Sequence, residues 1–106
     1  MHPNQEFVTA LTTKKKVMLT FRSRKAGTIL FRTCAPMDFG PSYRTKDRLY
    51  RYRFWDFDSD QKHRVLSLLP NEIVSIEPLD ESFDPAEFVT WPTISWFLPR
   101  DWGQYS

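Results

Sequence analysis

The chain has one cysteine, three glycines and two histidines in 106 residues, and each scarcity removes a class of chemistry. A lone thiol, Cys34, forms no internal disulfide, which points to a reducing compartment and leaves Cys34 as a small apolar core residue. His2 and His63 are too few for a metal site, and Cys34 has no Cys or His at ligand spacing, so neither a metal nor a cofactor is expected. Gly27, Gly40 and Gly103 are too scattered for a glycine-rich phosphate loop. No hydrophobic run approaches the roughly 20 residues of a membrane helix, and the opening MHPNQEFVTALTTKKK lacks the apolar stretch of a secretory leader. The expectation is a cytoplasmic protein that does not enter a membrane.

What the chain has in quantity is aromatic side chains: nine Phe, four Trp and four Tyr. With 41% hydrophobic and 26% charged residues, the balance is that of a globular domain, and the length suits one domain rather than two. Charge is unevenly placed. Fourteen of the fifteen Lys and Arg fall between residues 14 and 64, against five acids: Asp38, Asp47, Asp56, Asp58 and Asp60. Beyond residue 64 only Arg100 stands against seven acids. Such asymmetry suggests one surface that attracts anions.

Asn4 to Thr13 reads as a short helix, with Asn4 as cap, Glu6 in the first turn and Phe7, Ala10 and Leu11 at helical spacing. From Val17 the period becomes two. Val17, Leu19 and Phe21 alternate with Met18, Thr20 and Arg22; after the turn SRKAG, Ile29 and Phe31 alternate with Leu30 and Arg32. Pro36, Gly40 and Pro41 predict a loop. In RLYRYRFWDFD, Tyr50, Tyr52 and Phe54 share one face and Arg51, Arg53 and Trp55 the other. His63–Leu69 and Ile73–Pro78 predict the last two strands. The fold class expected is mainly β (or α+β): a small SH3/Sm-like antiparallel barrel of about five strands over residues 17–78, with the helix at 4–13. Residues 79–106 form an extended Trp-rich tail. Trp91, Trp96, Phe97 and Trp102 are expected to pack on the body, because an exposed cluster of this kind would aggregate.

Several stretches resemble the WYL domain family over roughly residues 5–85. Tyr52-Arg53-Phe54 stands where that family has Trp-Tyr-Leu, and Phe57-Asp58 where it has Tyr-Asp. Arg64-Val65-Leu66-Ser67-Leu68 is similar to its Arg-x-Phe-Arg-Leu strand. Ile73-Val74-Ser75-Ile76-Glu77 and Leu79-Asp80-Glu81-Ser82-Phe83 are similar to its closing strand and tail. Ser67 and Glu72 depart from the family, which has arginines at both places. The resemblance implies an Sm- or SH3-like barrel that senses nucleic acids or nucleotide-like ligands and regulates transcription. With strands beginning by Val17, no helix-turn-helix domain is expected, so the module would stand alone or act through a partner.

With the aromatic rows as the core, Arg22, Arg24, Arg32, Arg51 and Arg53 are expected to point outward together. Such a face, with Tyr43 and Trp55 beside it, suits phosphates and stacked bases; the alternative is a solvated face that keeps the domain soluble. The candidate ligand residues are Arg22, Arg32, Arg51, Arg53, Arg64, Ser67 and Tyr43, and the candidate partner is a nucleotide or single-stranded nucleic acid. Asp56, Asp58 and Asp60 have the spacing that opens a calcium loop, but no glycine turn or closing Glu follows, and an acidic turn is expected instead. Carboxylates such as Asp80, Glu81 and Asp84 lie in a polar linker, and no residue set suggests an enzyme. A second reading is a protein-interaction or dimerisation module working through the Trp-rich tail, toward a second copy or a partner protein.

Overall fold

Asn4 opens the helix as its cap: its Oδ1 accepts the Phe7 backbone N–H at 2.9 Å, satisfying one of the donors a helix start leaves unpaired. In the computed structural model, which describes residues 2–41, 46–59, 64–91 and 95–106, α1 spans Gln5–Thr13. It buries Phe7, Ala10 and Leu11, the positions spaced for one face. Lys14 ends it in the left-handed region at φ 57°, returning its N–H to the Ala10 carbonyl.

Among the described residues five strands follow: β1 (Lys15–Ser23), β2 (Thr28–Pro41), β3 (Tyr50–Asp56), β4 (Val65–Leu68) and β5 (Ile73–Ser82). They form one antiparallel sheet in the order β4-β3-β2-β1-β5. The fold is mainly β and barrel-like, with the single short helix expected. Two boundaries differ from the sequence reading. The segment with Pro36 and Pro41 is strand rather than loop. Beyond Cys34, β2 has parted from β1 and pairs with β3 alone, so a residue without an N–H costs no second ladder there. Likewise β5 runs past Pro78 to Ser82, which an edge strand tolerates.

Residues directly opposite on antiparallel strands share a face. Val17 pairs with Cys34, Leu19 with Arg32 and Ile76, and Phe21 with Leu30 and Ile73. Leu30, Arg32 and Cys34 therefore lie on the core face of β2. Ile29 and Phe31 lie on the outer face, 46% and 62% exposed, which overturns the expectation that they turn inward. Both rows of β2 carry apolar residues, and the ladder with β1 decides between them. On β3 the expected parity holds. Tyr52 and Phe54 are buried, edge-on to Phe7 at 4.8 Å and 5.3 Å. The Tyr52 hydroxyl accepts the Asn4 N–H at 2.6 Å; burial raises its pKa, and that hydrogen bond opposes the shift.

Of the four tail aromatics expected to pack on the body, Trp102 and Trp96 do so, whereas Trp91 and Phe97 remain 38% and 52% exposed. Trp102 is buried against Phe83, Phe88 and Trp96, and its Nε1 donates to the Leu11 carbonyl at 2.8 Å, where α1 leaves acceptors over. Trp55 stacks on Phe88, with centroids 5.5 Å apart. A bulge at Met37 lets Asp38, rather than Met37, stand opposite Arg53. The Asp38 carboxylate is buried and accepts from Arg53 and Arg100, from the Phe97 and Leu98 amides, and from the Phe39 amide. Arg100 lies over Trp96 and Trp102 at 4.0 Å and 4.4 Å, and donates to the Met37 and Leu98 carbonyls. Burial pulls its guanidinium down to about 10, against the pull of Asp38, so it stays charged at neutral pH. Gly40 is where the tail presses closest: a Cβ there would stand 2.6 Å from Phe97 Cγ.

Two outcomes follow from this packing. Arg100→Ala removes one side of a buried ion pair and should cost about 3 kcal/mol in urea unfolding. Arg51→Ala breaks the partly exposed pair with Asp47 and should cost under about 1 kcal/mol in the same assay. Cys34 is fully buried, and burial, reinforced by Asp56 and Asp58, raises its thiol. Its alkylation by iodoacetamide at pH 8 should therefore keep pace with urea-induced unfolding; rapid labelling of the native chain would contradict this burial.

Candidate functional site

The register that puts Leu30 and Arg32 on the core face also opens a cleft at one end of the sheet. It lies between the β1–β2 turn, the end of β3, β4 and the single turn at Pro70–Glu72, with a volume of about 650 Å³. Phe21, Leu30, Leu66 and Leu68 give it an apolar lining. Pairing accounts for their common face: Phe21 lies opposite Leu30, while Leu66 and Leu68 lie opposite Phe54 and Tyr52.

Five cations border this lining: Arg22, Arg24, Lys25, Arg32 and Arg64. Three carboxylates stand with them: Asp56, Asp58 and Glu72. Arg32 Nε is 3.4 Å from Asp56 Oδ2, and Arg24 Nε is 3.2 Å from Glu72 Oε2. Each carboxylate is also tied to the backbone. Asp58 accepts the Thr33 N–H at 2.6 Å, Asp56 the Asp58 N–H at 2.9 Å, and Glu72 the Leu69 N–H at 2.8 Å. The acidic turn thus stitches β2 to the end of β3, and among the described residues no group of three or more His, Cys, Asp or Glu is placed to hold a metal. Arg22, Lys25 and Arg64 make no ion pair among the described residues.

Of the residues singled out in the sequence, the cleft brings together Arg22, Arg32, Arg64 and Ser67. Ser67 and Arg22 contribute from wall positions: Ser67 pairs with Arg53 and Arg22 with Ile29, so both side chains start from the outer face of the sheet and border the cleft at its edge. Arg51 and Arg53 do not join the cleft. They lie on the face that the tail covers, with Arg53 on Asp38 at 3.1 Å and Arg51 on Asp47 at 2.9 Å. The single outward face of five arginines is therefore corrected to two opposite surfaces, with Arg32 and Arg53 on different sides of the sheet. Trp55 is stacked on Phe88, which takes up one face of its ring. Tyr43 and His63 lie outside the described residues.

Sequence reasoning missed Lys25 and the apolar lining. The signal for the lining was Leu30 alternating with Ile29 and Phe31, and only strand pairing shows which row turns in. Burial raises the Asp56 carboxyl, opposed first by the Asp58 amide and then by Arg32. A folded pKa above the unfolded one means that ionising Asp56 costs stability; its contribution is greatest in acid and declines as pH rises through the folded value. Carboxyl ¹³C NMR should place the Asp56 midpoint above the ordinary value of about 3.9.

No family model matches this chain, and no curated protein or solved structure is significantly similar to it.

Proposed function

We propose that the chain is a ligand-binding regulatory module whose cleft takes a compact organic anion of the nucleotide type. The observation that carries this reading is the pairing of an apolar lining with five cations in one cleft of about 650 Å³. That volume lies within the roughly 300–1,000 Å³ usual for small-molecule sites. Phe21, Leu30, Leu66 and Leu68 suit a flat apolar moiety, while Arg22, Lys25 and Arg64 retain charge to spend on phosphate oxygens. Binding is favoured over turnover because Asp56, Asp58 and Glu72 are already committed to amide and guanidinium partners. The resemblance to the WYL domain adds a role in transcription regulation to the same reading.

Isothermal titration with adenosine mono- and diphosphates and with dinucleotides, repeated over a salt series, tests it. Affinity should fall as salt rises, and Arg64→Ala should weaken it about tenfold or more, the loss of one charge-assisted hydrogen bond. Arg51→Ala, on the other face, should leave it unchanged. No binding, binding indifferent to salt, or equal losses in the two variants would remove the reading.

A further inference from the structure

The outer face of the sheet is divided in two. Over the second half of β2 and over β3 the tail covers it, with Arg100 on Asp38, Phe97 on Gly40 and Phe88 on Trp55. Over the first half of β2, β1 and β5 it stays open, and there the chain exposes large apolar side chains. Phe31 is 62% exposed, Ile29 46% and Val74 51%. Thr20 pairs with Phe31 on one side and Ser75 on the other, and Arg22 pairs with Ile29 in the next row. Between the Thr20–Ser75 and Phe21–Ile73 pairs, β5 holds an extra residue, Val74, and this bulge turns it outward. The exposed residues thus flank β1 on the strands to either side of it, β2 and β5, with Thr20 and Arg22 between them.

We propose that this patch docks an acidic amphipathic helix of a partner protein, with the helix's apolar side chains on Phe31, Ile29 and Val74. Charge selects the occupant. Arg22 stands beside Ile29 in the ladder, and Arg24 and Lys25 occupy the adjoining turn. Arg22 and Lys25 have no ion pair among the described residues. Glu72 is held by Arg24 and the Leu69 amide, and Glu77 lies opposite Met18, away from the turn. The turn end of the patch therefore carries positive charge, with exposed Glu77 on the same face at the far end, and this polarity complements a partner whose carboxylates meet the turn. Single-stranded nucleic acid is less well served, because base stacking needs a run of rings and Phe31 stands here with two aliphatic side chains. Phe31, Ile29 and Val74 lie outside the cleft lining, while Arg22, Arg24 and Lys25 border both surfaces; the inference stands on the apolar patch and does not rest on the ligand reading.

Fluorescence anisotropy on the full chain decides it, with two labelled helical peptides as probes. One carries leucines along one face flanked by glutamates; the other replaces the glutamates by lysines. The acidic peptide should bind, and Phe31→Asp and Arg22→Glu should each weaken it at least tenfold without lowering the melting temperature. Arg64→Ala, which tests the cleft, should not change it. The lysine peptide should not bind. The proposal is overturned if the acidic peptide fails to bind, if both peptides bind alike, or if the Phe31 and Arg22 variants bind as the parent does. Displacement by oligothymidylate would assign the patch to nucleic acid instead. Dimers in sedimentation that Phe31→Asp dissolves would assign it to a second copy.

Discussion

A buried carboxylate survives in a protein core only when donors replace the water it has lost, and Asp38 is supplied from two directions. Arg53 comes from the neighbouring strand, 15 residues away; the Phe97 and Leu98 amides and Arg100 come from the tail, about 60 residues away. The bulge at Met37 makes this possible by setting Asp38 opposite Arg53, toward the tail. Arg100 is held by Asp38 and by two indole rings, so charge and aromatic packing brace one another. With the tail secured, Trp102 seals the end of α1 and Phe88 covers Trp55. One half of the outer sheet face is closed by this single anchoring point.

The same ladder separates the chain's arginines by role. Arg53 and Arg100 neutralise a buried charge and hold the structure. Arg32 and Arg24 are half-committed at the cleft, each beside one carboxylate. Arg22 and Arg64 remain available there. Residues of the same chemistry, some only two positions apart in sequence, thus stand in a buried network, beside one carboxylate or without an ion pair among the described residues, according to which side of which strand they occupy.

The helix and β3 were legible in the sequence because each has one unambiguous apolar period: Phe7, Ala10 and Leu11 in the first, Tyr52 and Phe54 in the second. The tail's packing was legible from the cost of exposing so many indoles. The facing of β2 was not, since Ile29 and Phe31 look at least as apolar as Leu30 and Cys34, and the answer lies in its pairing with Leu19 and Phe21. The prolines misled for a related reason: whether a missing N–H matters depends on how many neighbours a strand has at that point. Ion pairs such as Arg53 with Asp38 escaped notice because nothing local marks two residues on different strands as partners. The cleft followed the same rule, legible as a list of arginines but not as a place.

The anchoring of Asp38 by residues so distant has a consequence for the order of assembly. As a ribosome delivers the chain from its N-terminus, every strand is available well before Phe97, Leu98 and Arg100. Until they emerge, Asp38 has only Arg53 and the Phe39 amide among its native partners and must keep much of its hydration. The indole cluster that is to enclose Arg100 is likewise without its cation. The nascent sheet therefore waits with one wet flank, and the dehydration of that flank is timed by the arrival of residues 97–100.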